Sequence, residues 1–181
     1  DLDSYKNISF DKLSIASLAS GGTGETAVAS GKVLLYVNID SSSPAATFIP
    51  SASRGNAVAV FKFRAAGGEA RINKLTLTRH GVTSDNAIES VYLEDEAGNI
   101  LGYKVGLAAR EAYINFGSEP IIIPANSAKI ISVKADVKPV TDVVGQTLGF
   151  GILSSANIDS VVSISAAFPL KGAEHKLIHG T

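Results

Sequence analysis

Residues 67–81 read GGEARINKLTLTRHG, and their alternation decides the fold. Ala70 and Ile72 alternate with Arg71 and Asn73 as in a half-buried strand, after which Leu75 and Leu77 carry the apolar set on at odd positions. Because side chains in a strand have a period of two, a one-residue slip turns the second half inside out unless the register breaks. A β-bulge near Asn73-Lys74 predicts such a break, with one extra residue facing a single partner and Ile72 and Leu75 returned to the same face.

The same period recurs outward in both directions, and helical periodicity is hard to find. In residues 31–40, GKVLLYVNID, the set Val33, Leu35, Val37 and Ile39 opposes Leu34, Tyr36, Asn38 and Asp40. AVAVFKFR sets Ala57, Ala59, Phe61 and Phe63 against Val58, Val60, Lys62 and Arg64. EAYINF gives Ala112, Ile114 and Phe116; IISVKADV gives Ile131, Val133, Ala135 and Val137; TLGFGIL adds Leu148, Phe150 and Ile152. Strands separated by Gly, Pro, Asn and Ser clusters predict an all-β, antiparallel sandwich of roughly ten strands. Loops are expected at 41–56, 79–87, 95–99, 123–126 and 138–145, with a hairpin at Asp95–Asn99 and a turn at Pro124.

The chain divides into residues 1–30 and a sandwich domain over 31–181. In the first part, KNISFDKLSIAS (6–17) places Ile8 and Phe10 in one phase and Leu13 and Ile15 in the other, and a Gly/Ser/Ala connector follows. A lone strand on a flexible connector cannot be stable by itself. It is expected to complete the sandwich of an adjacent subunit or a preceding domain, or else to fold back and pair within its own chain. Fully buried, its four apolar side chains are worth about 1.5–3 kcal/mol each.

With 181 residues, 45% hydrophobic and 18% charged, the chain is long enough for one sizeable domain and too apolar for disorder. A net charge of -1 without a basic run argues against nucleic-acid binding. The absence of cysteine removes disulfide and thiolate chemistry. No apolar run reaches the length of a membrane span. A chain that begins at Asp1 without methionine reads as processed, trimmed or a fragment, with weak support for export.

Four stretches, FKFRAAGGEARINKLTLTRHGVTSDNAIESVYLEDEAGNIL (61–101), INFGSEPIIIPANSAKIISVKADV (114–137), GQTLGFGILSSANI (145–158) and AAFPLKG (166–172), carry a resemblance. Together they resemble the immunoglobulin-like β-sandwich repeats of large bacterial cell-surface and S-layer-type proteins, over about residues 31–172. The resemblance implies a secreted domain, often repeated in tandem, acting as a structural or adhesive spacer. This chain shows one copy, and LKGAEHKLIHGT (170–181) is read as the start of a further strand entering a neighbour.

Candidate chemistry is sparse. GGTGET (21–26) lacks the lysine of a phosphate-binding loop, and no helix pattern follows it. His175 and His179 would lie roughly 13 Å apart along a strand, too far to share a metal. His80, beside Arg79, reads as a solvated turn residue, and the three histidines offer little for a Ser-His-Asp triad. Asn7-Ile8-Ser9 matches a glycosylation sequon, a pattern with a high chance rate. Asp85, Glu89, Glu94, Asp95 and Glu96 supply hard oxygen ligands around the loops, with Asp142 and Asp159 in other turns. With the family analogy they nominate a calcium site at Asp85, Glu89 and Asp95, although the spacing matches no EF-hand and charged loops are commonly just hydrated. Tyr36, Tyr92, Tyr103 and Tyr113 are candidates for sugar stacking, in a chain that lacks tryptophan.

The expected function is that of a non-enzymatic extracellular structural protein, a building block of a surface layer or filament that self-associates head to tail. The alternative is a carbohydrate- or host-binding adhesin domain.

Overall fold

The alternation read along the sequence becomes a set of strands whose odd or even residues face one shared core. A computed structural model describes residues 32–180. The four sequence-predicted assembly residues, Ile8, Phe10, Leu13 and Ile15, lie outside the described residues, as does GGTGET.

The first strands are β1 (Leu34–Ile39), β2 (Phe48–Pro50), β3 (Asn56–Ala66), β4 (Ala70–Ile72) and β5 (Lys74–His80). A short 3-10 turn, Asp85–Ala87, leads into β6 (Ile88–Asp95), followed by β7 (Ile100–Val105), β8 (Glu111–Asn115), β9 (Ile121–Ile123) and β10 (Ala128–Val137). After β11 (Thr147–Ile152) and a second 3-10 turn, Ser155–Asn157, come β12 (Ile158–Asp159), β13 (Ser163–Ser165), β14 (Leu170–Lys171) and β15 (His175–Ile178). The described residues are nearly all strand and turn, without an α-helix. Beyond the ten or so strands read from periodicity, the additional ones are mostly two or three residues long, too short to show a period.

One sheet has the order β13-β1-β3-β10-β6-β7. The second runs β12-β5-β11-β15-β2, with β14 pairing β11 and β8 pairing β5. A two-stranded piece, β4-β9, completes the set. β1 lies between antiparallel β3 and parallel β13, and β15 lies between antiparallel β11 and parallel β2. Side chains from both large sheets form one hydrophobic cluster, including Leu35, Phe61, Phe63, Val133 and Leu93 from the first and Leu75, Leu77, Ile114, Phe150 and Leu177 from the second. The inward sets read at 112–116, 131–137 and 148–152 are all buried.

The phase slip at Asn73 has a different cause from the bulge that the sequence suggests. The chain changes partners there: Ile72 faces Ile121 of β9, whereas Lys74 faces Asn115 of β8. Asn73 alone spans the gap that residues 116–120 span on the opposite side, so the excursion belongs to the partner segment. The Asn73 carbonyl accepts the Phe116 N–H at 3.0 Å, and its own N–H donates to the Asp159 carbonyl at 2.8 Å, leaving neither backbone group orphaned. Ile72 and Leu75 both reach the core.

Two further expectations change. Residues 170–178 pair within their own chain, as β14 against β11 and β15 against β11 and β2. The loop foreseen at 79–87 begins later, because β5 runs through His80. The hairpin at 95–99 forms as read: Asp95 Oδ1 accepts the N–H groups of Ala97 and Asn99, while Gly98 takes a φ of +84°. The Pro124 turn also forms, with the Ser127 N–H donating to the Pro124 carbonyl.

Candidate functional site

Six strands of the two large sheets pair on one side only among the described residues, namely β2, β7, β8, β12, β13 and β14, and β12 and β14 are only two residues each. β13 is three residues, Ser-Ile-Ser, and β2 is three residues ending in Pro50, which has no N–H to offer a newcomer. β8 presents Glu111, Tyr113 and Asn115 outward. β7 differs. Paired with β6 on one side, it has no strand on the other among the described residues, and its outward side chains are Ile100, Tyr103 and Val105, exposed by 62, 54 and 66%. Lys104 is the one charged residue in this strand.

The position of β7 is fixed from beneath by a close approach. A Cβ on Gly102 would lie 2.5 Å from Ile114 Cγ2 and 2.7 Å from the Phe116 ring, so the absent side chain lets the edges of the two sheets come together. Above, Tyr103 faces Tyr92 across the ladder, with ring centroids 6.3 Å apart and tilted planes. Next to Tyr92 on β10, Lys134 bonds Glu94 at 2.7 Å, and Asp136 accepts the Ser90 hydroxyl at 2.7 Å and the Gly55 N–H at 2.8 Å. Burial, assisted by the Asp136 charge, raises the Tyr92 pKa and keeps this phenol neutral. The outer face therefore grades from satisfied charge pairs at its middle to unpaired apolar side chains at its rim.

The structure does not bring Asp85, Glu89 and Asp95, the three residues nominated for calcium, together at one place. Glu89 and Asp95 sit at opposite ends of β6, roughly 20 Å apart at about 3.3 Å per residue. Glu89 pairs with Arg54 at 3.1 Å. Asp95 is engaged by Asn99, whose side-chain and backbone hydrogen bonds lower its pKa. Asp85 accepts the Nε–H of Arg79 at 2.7 Å and the backbone N–H of Arg110 at 2.8 Å. Burial pushes the Asp85 pKa up, but these donors outweigh it and the net shift is downward. Among the described residues no three acidic or histidine side chains cluster to hold a metal ion.

Sequence reasoning missed the role of this ion pair. Arg79 is only 4% exposed, in the same inward phase as Leu75 and Leu77, and it also donates a backbone hydrogen bond to the Arg110 carbonyl at 2.7 Å. Asp85 thereby ties the end of β5 to a tight turn in which Ala109 and Arg110 both take positive φ, 52° and 68°. The available signal was a charge in an apolar phase with an acid six residues later, since a buried guanidinium requires a counterion.

His80 is not a solvated turn residue. It ends β5 half-buried, with Nδ1 3.4 Å from Glu174 Oε1, while the Thr147 hydroxyl donates to Glu174 Oε2 at 2.7 Å. Those two contacts, Thr147 first, lower the Glu174 pKa. The carboxylate stands between hydroxyl and imidazole, the reverse of the nucleophile–base–acid order that activates a hydroxyl. His175 is buried with Nε2 3.1 Å from the Val58 carbonyl, whereas His179 is exposed past the end of β15.

Of the four tyrosines, Tyr36 is covered by the Arg64 guanidinium 4.6 Å above its ring, and Tyr92 packs on Tyr103. Tyr103 and Tyr113 keep exposed faces. No helix among the described residues is long and apolar enough to cross a membrane. No protein-family model matches the chain, and no curated protein matches it.

Proposed function

We propose that this chain is a non-enzymatic extracellular structural module, an immunoglobulin-like sandwich that builds a surface layer or filament through head-to-tail contacts. The β7 edge, which no strand among the described residues covers, carries this reading. A six-residue strand paired on one side only and flanked by Ile100, Tyr103 and Val105 is the kind of edge that monomeric proteins blunt, as this chain does at β2 and β13. A strand arriving from another copy would satisfy the free amides and carbonyls and cover the three apolar side chains. The period-two segment 6–17, with Ile8, Phe10, Leu13 and Ile15, supplies such a strand in sequence. An edge and a donor on one chain are different surfaces, so the contact is heterologous and extends head to tail into a filament wherever its rotation does not close a ring.

The test is sedimentation velocity and negative-stain electron microscopy on three proteins: the full chain, a deletion of residues 1–17, and the Tyr103→Glu, Val105→Lys double variant. The full chain is expected to polymerise, and each altered protein to remain a folded monomer. A full chain that stays monomeric at high concentration sinks the proposal, as do polymers that persist in both altered proteins.

A further inference from the structure

A second surface, on the opposite sheet and independent of the β7 edge, has the composition of a ligand site. β5 is flanked there by β8 on one side and β12 on the other, with Thr76 facing Tyr113 and Lys74 facing Asp159. Lys74 and Thr76 form the floor of an open groove of about 470 Å3, with Tyr113 on one wall and Asn157, Asp159 and Ser160 on the other. The walls are two strand spacings apart, roughly 9.5 Å, enough to seat one sugar ring. The volume falls within the range of small-molecule sites.

The polar groups here are held ready. The Asn157 carbonyl oxygen accepts the Ser154 N–H at 3.0 Å and the Ser154 hydroxyl at 3.2 Å, which fixes its amide and leaves the NH2 to donate outward. The Tyr113 hydroxyl donates to the Glu111 carboxylate, which orients a ring that is 59% exposed. Lys74 and Asp159 face each other across the ladder, yet neither makes an ion pair or side-chain hydrogen bond among the described residues.

We propose that this groove binds a neutral pyranose of a polysaccharide, its C–H face packed on Tyr113 and a vicinal diol held between Asp159 and the Asn157 amide. One exposed aromatic wall suits the apolar face of a sugar ring, because such a ring offers a large rigid contact area. A carboxylate accepts from two adjacent hydroxyls, and an amide and an ammonium donate back to their oxygens. One acid and one base in the same groove cancel, which disfavours a charged ligand. The polar lining likewise disfavours a hydrocarbon.

Ligand-observed saturation-transfer NMR tests the proposal, since it reads the sugar and works whether the chain is monomeric or assembled. The probes are the methyl pyranosides of glucose, galactose and mannose, and N-acetylglucosamine, each with the full chain. At least one is expected to receive saturation at its ring C–H protons. Affinity should fall by roughly tenfold in both Tyr113→Ala and Asp159→Asn. Both positions are exposed, so the thermal melts should stay within the usual range for surface substitutions. No transfer to any of the four probes overturns the proposal, and so does transfer that survives both substitutions. Because neither position lies on β7, loss of polymerisation in the edge variants leaves this result intact.

Discussion

The two large sheets solve the same packing problem with different materials. The six-stranded sheet is built on long ladders: β3 runs eleven residues and β10 ten, and their buried side chains are almost wholly apolar. The second sheet is a patchwork of strands two to seven residues long. It and the loops entering it hold every buried side-chain atom without a hydrogen-bond partner in the protein among those described: Thr78 Oγ1, His80 Nε2, Thr83 Oγ1, Gln146 Oε1 and His175 Nδ1. It also carries the Arg79–Asp85 pair and the His80–Glu174–Thr147 chain. A buried polar atom without a partner costs stability. The first sheet therefore supplies more of the fold's margin, and the second places polar groups at a cost.

The largest test of this contrast is Phe63→Ala. Phe63 is fully buried in β3, and its truncation should cost about 3–5 kcal/mol by urea denaturation. A loss below about 1 kcal/mol would mean that the first sheet is not the main source of stability. Thr83→Val tests the other side. It keeps the shape of a buried side chain while deleting a hydroxyl that has no protein partner, and should raise stability by about 1 kcal/mol. Unchanged or reduced stability would show that the hydroxyl is satisfied in solution.

The last test concerns acid. The Asp85 pKa is depressed when folded, so its contribution is present above the unfolded value of about 3.9 and is lost as pH falls through the folded value. Asp85→Asn should be less stable than the parent at neutral pH, with the gap narrowing below about pH 4. Thermal melts across that range would contradict the assignment if the two curves stayed parallel.

The difference between the sheets also explains what the sequence revealed. Periodicity places Phe61, Phe63, Val133 and Phe150 correctly because a half-buried strand of five or more residues writes its inward face into every second letter. It is silent on β12 and β14, two residues each, whose existence depends on partners elsewhere in the chain. The slip at Asn73 was legible but not its origin, since the extra residues belong to 116–120 on the far side of a pairing. Asp85 was grouped with the other acidic loop residues as a calcium candidate, and its pairing with Arg79 went unread because Arg79 fell inside the loop expected at 79–87. The Tyr113 groove gathers Lys74, Thr76, Tyr113 and residues 156–160, and no linear pattern announces a meeting of three strands.

The way the first and last described strands are held has a mechanical meaning. β1 and β15 are both interior to their sheets, each gripped by one parallel and one antiparallel neighbour, so tension entering at either end of the domain must break two ladders before a strand comes free. The grips are unequal. β1 meets β3 along its whole length from Leu34 to Ile39, whereas β15 meets β11 at His175 and Lys176 and, through Leu177, the Gly145 and Gln146 backbone just before it. Under load the domain yields first at its C-terminal strand, while the long six-stranded sheet stays intact as the part still bearing the force.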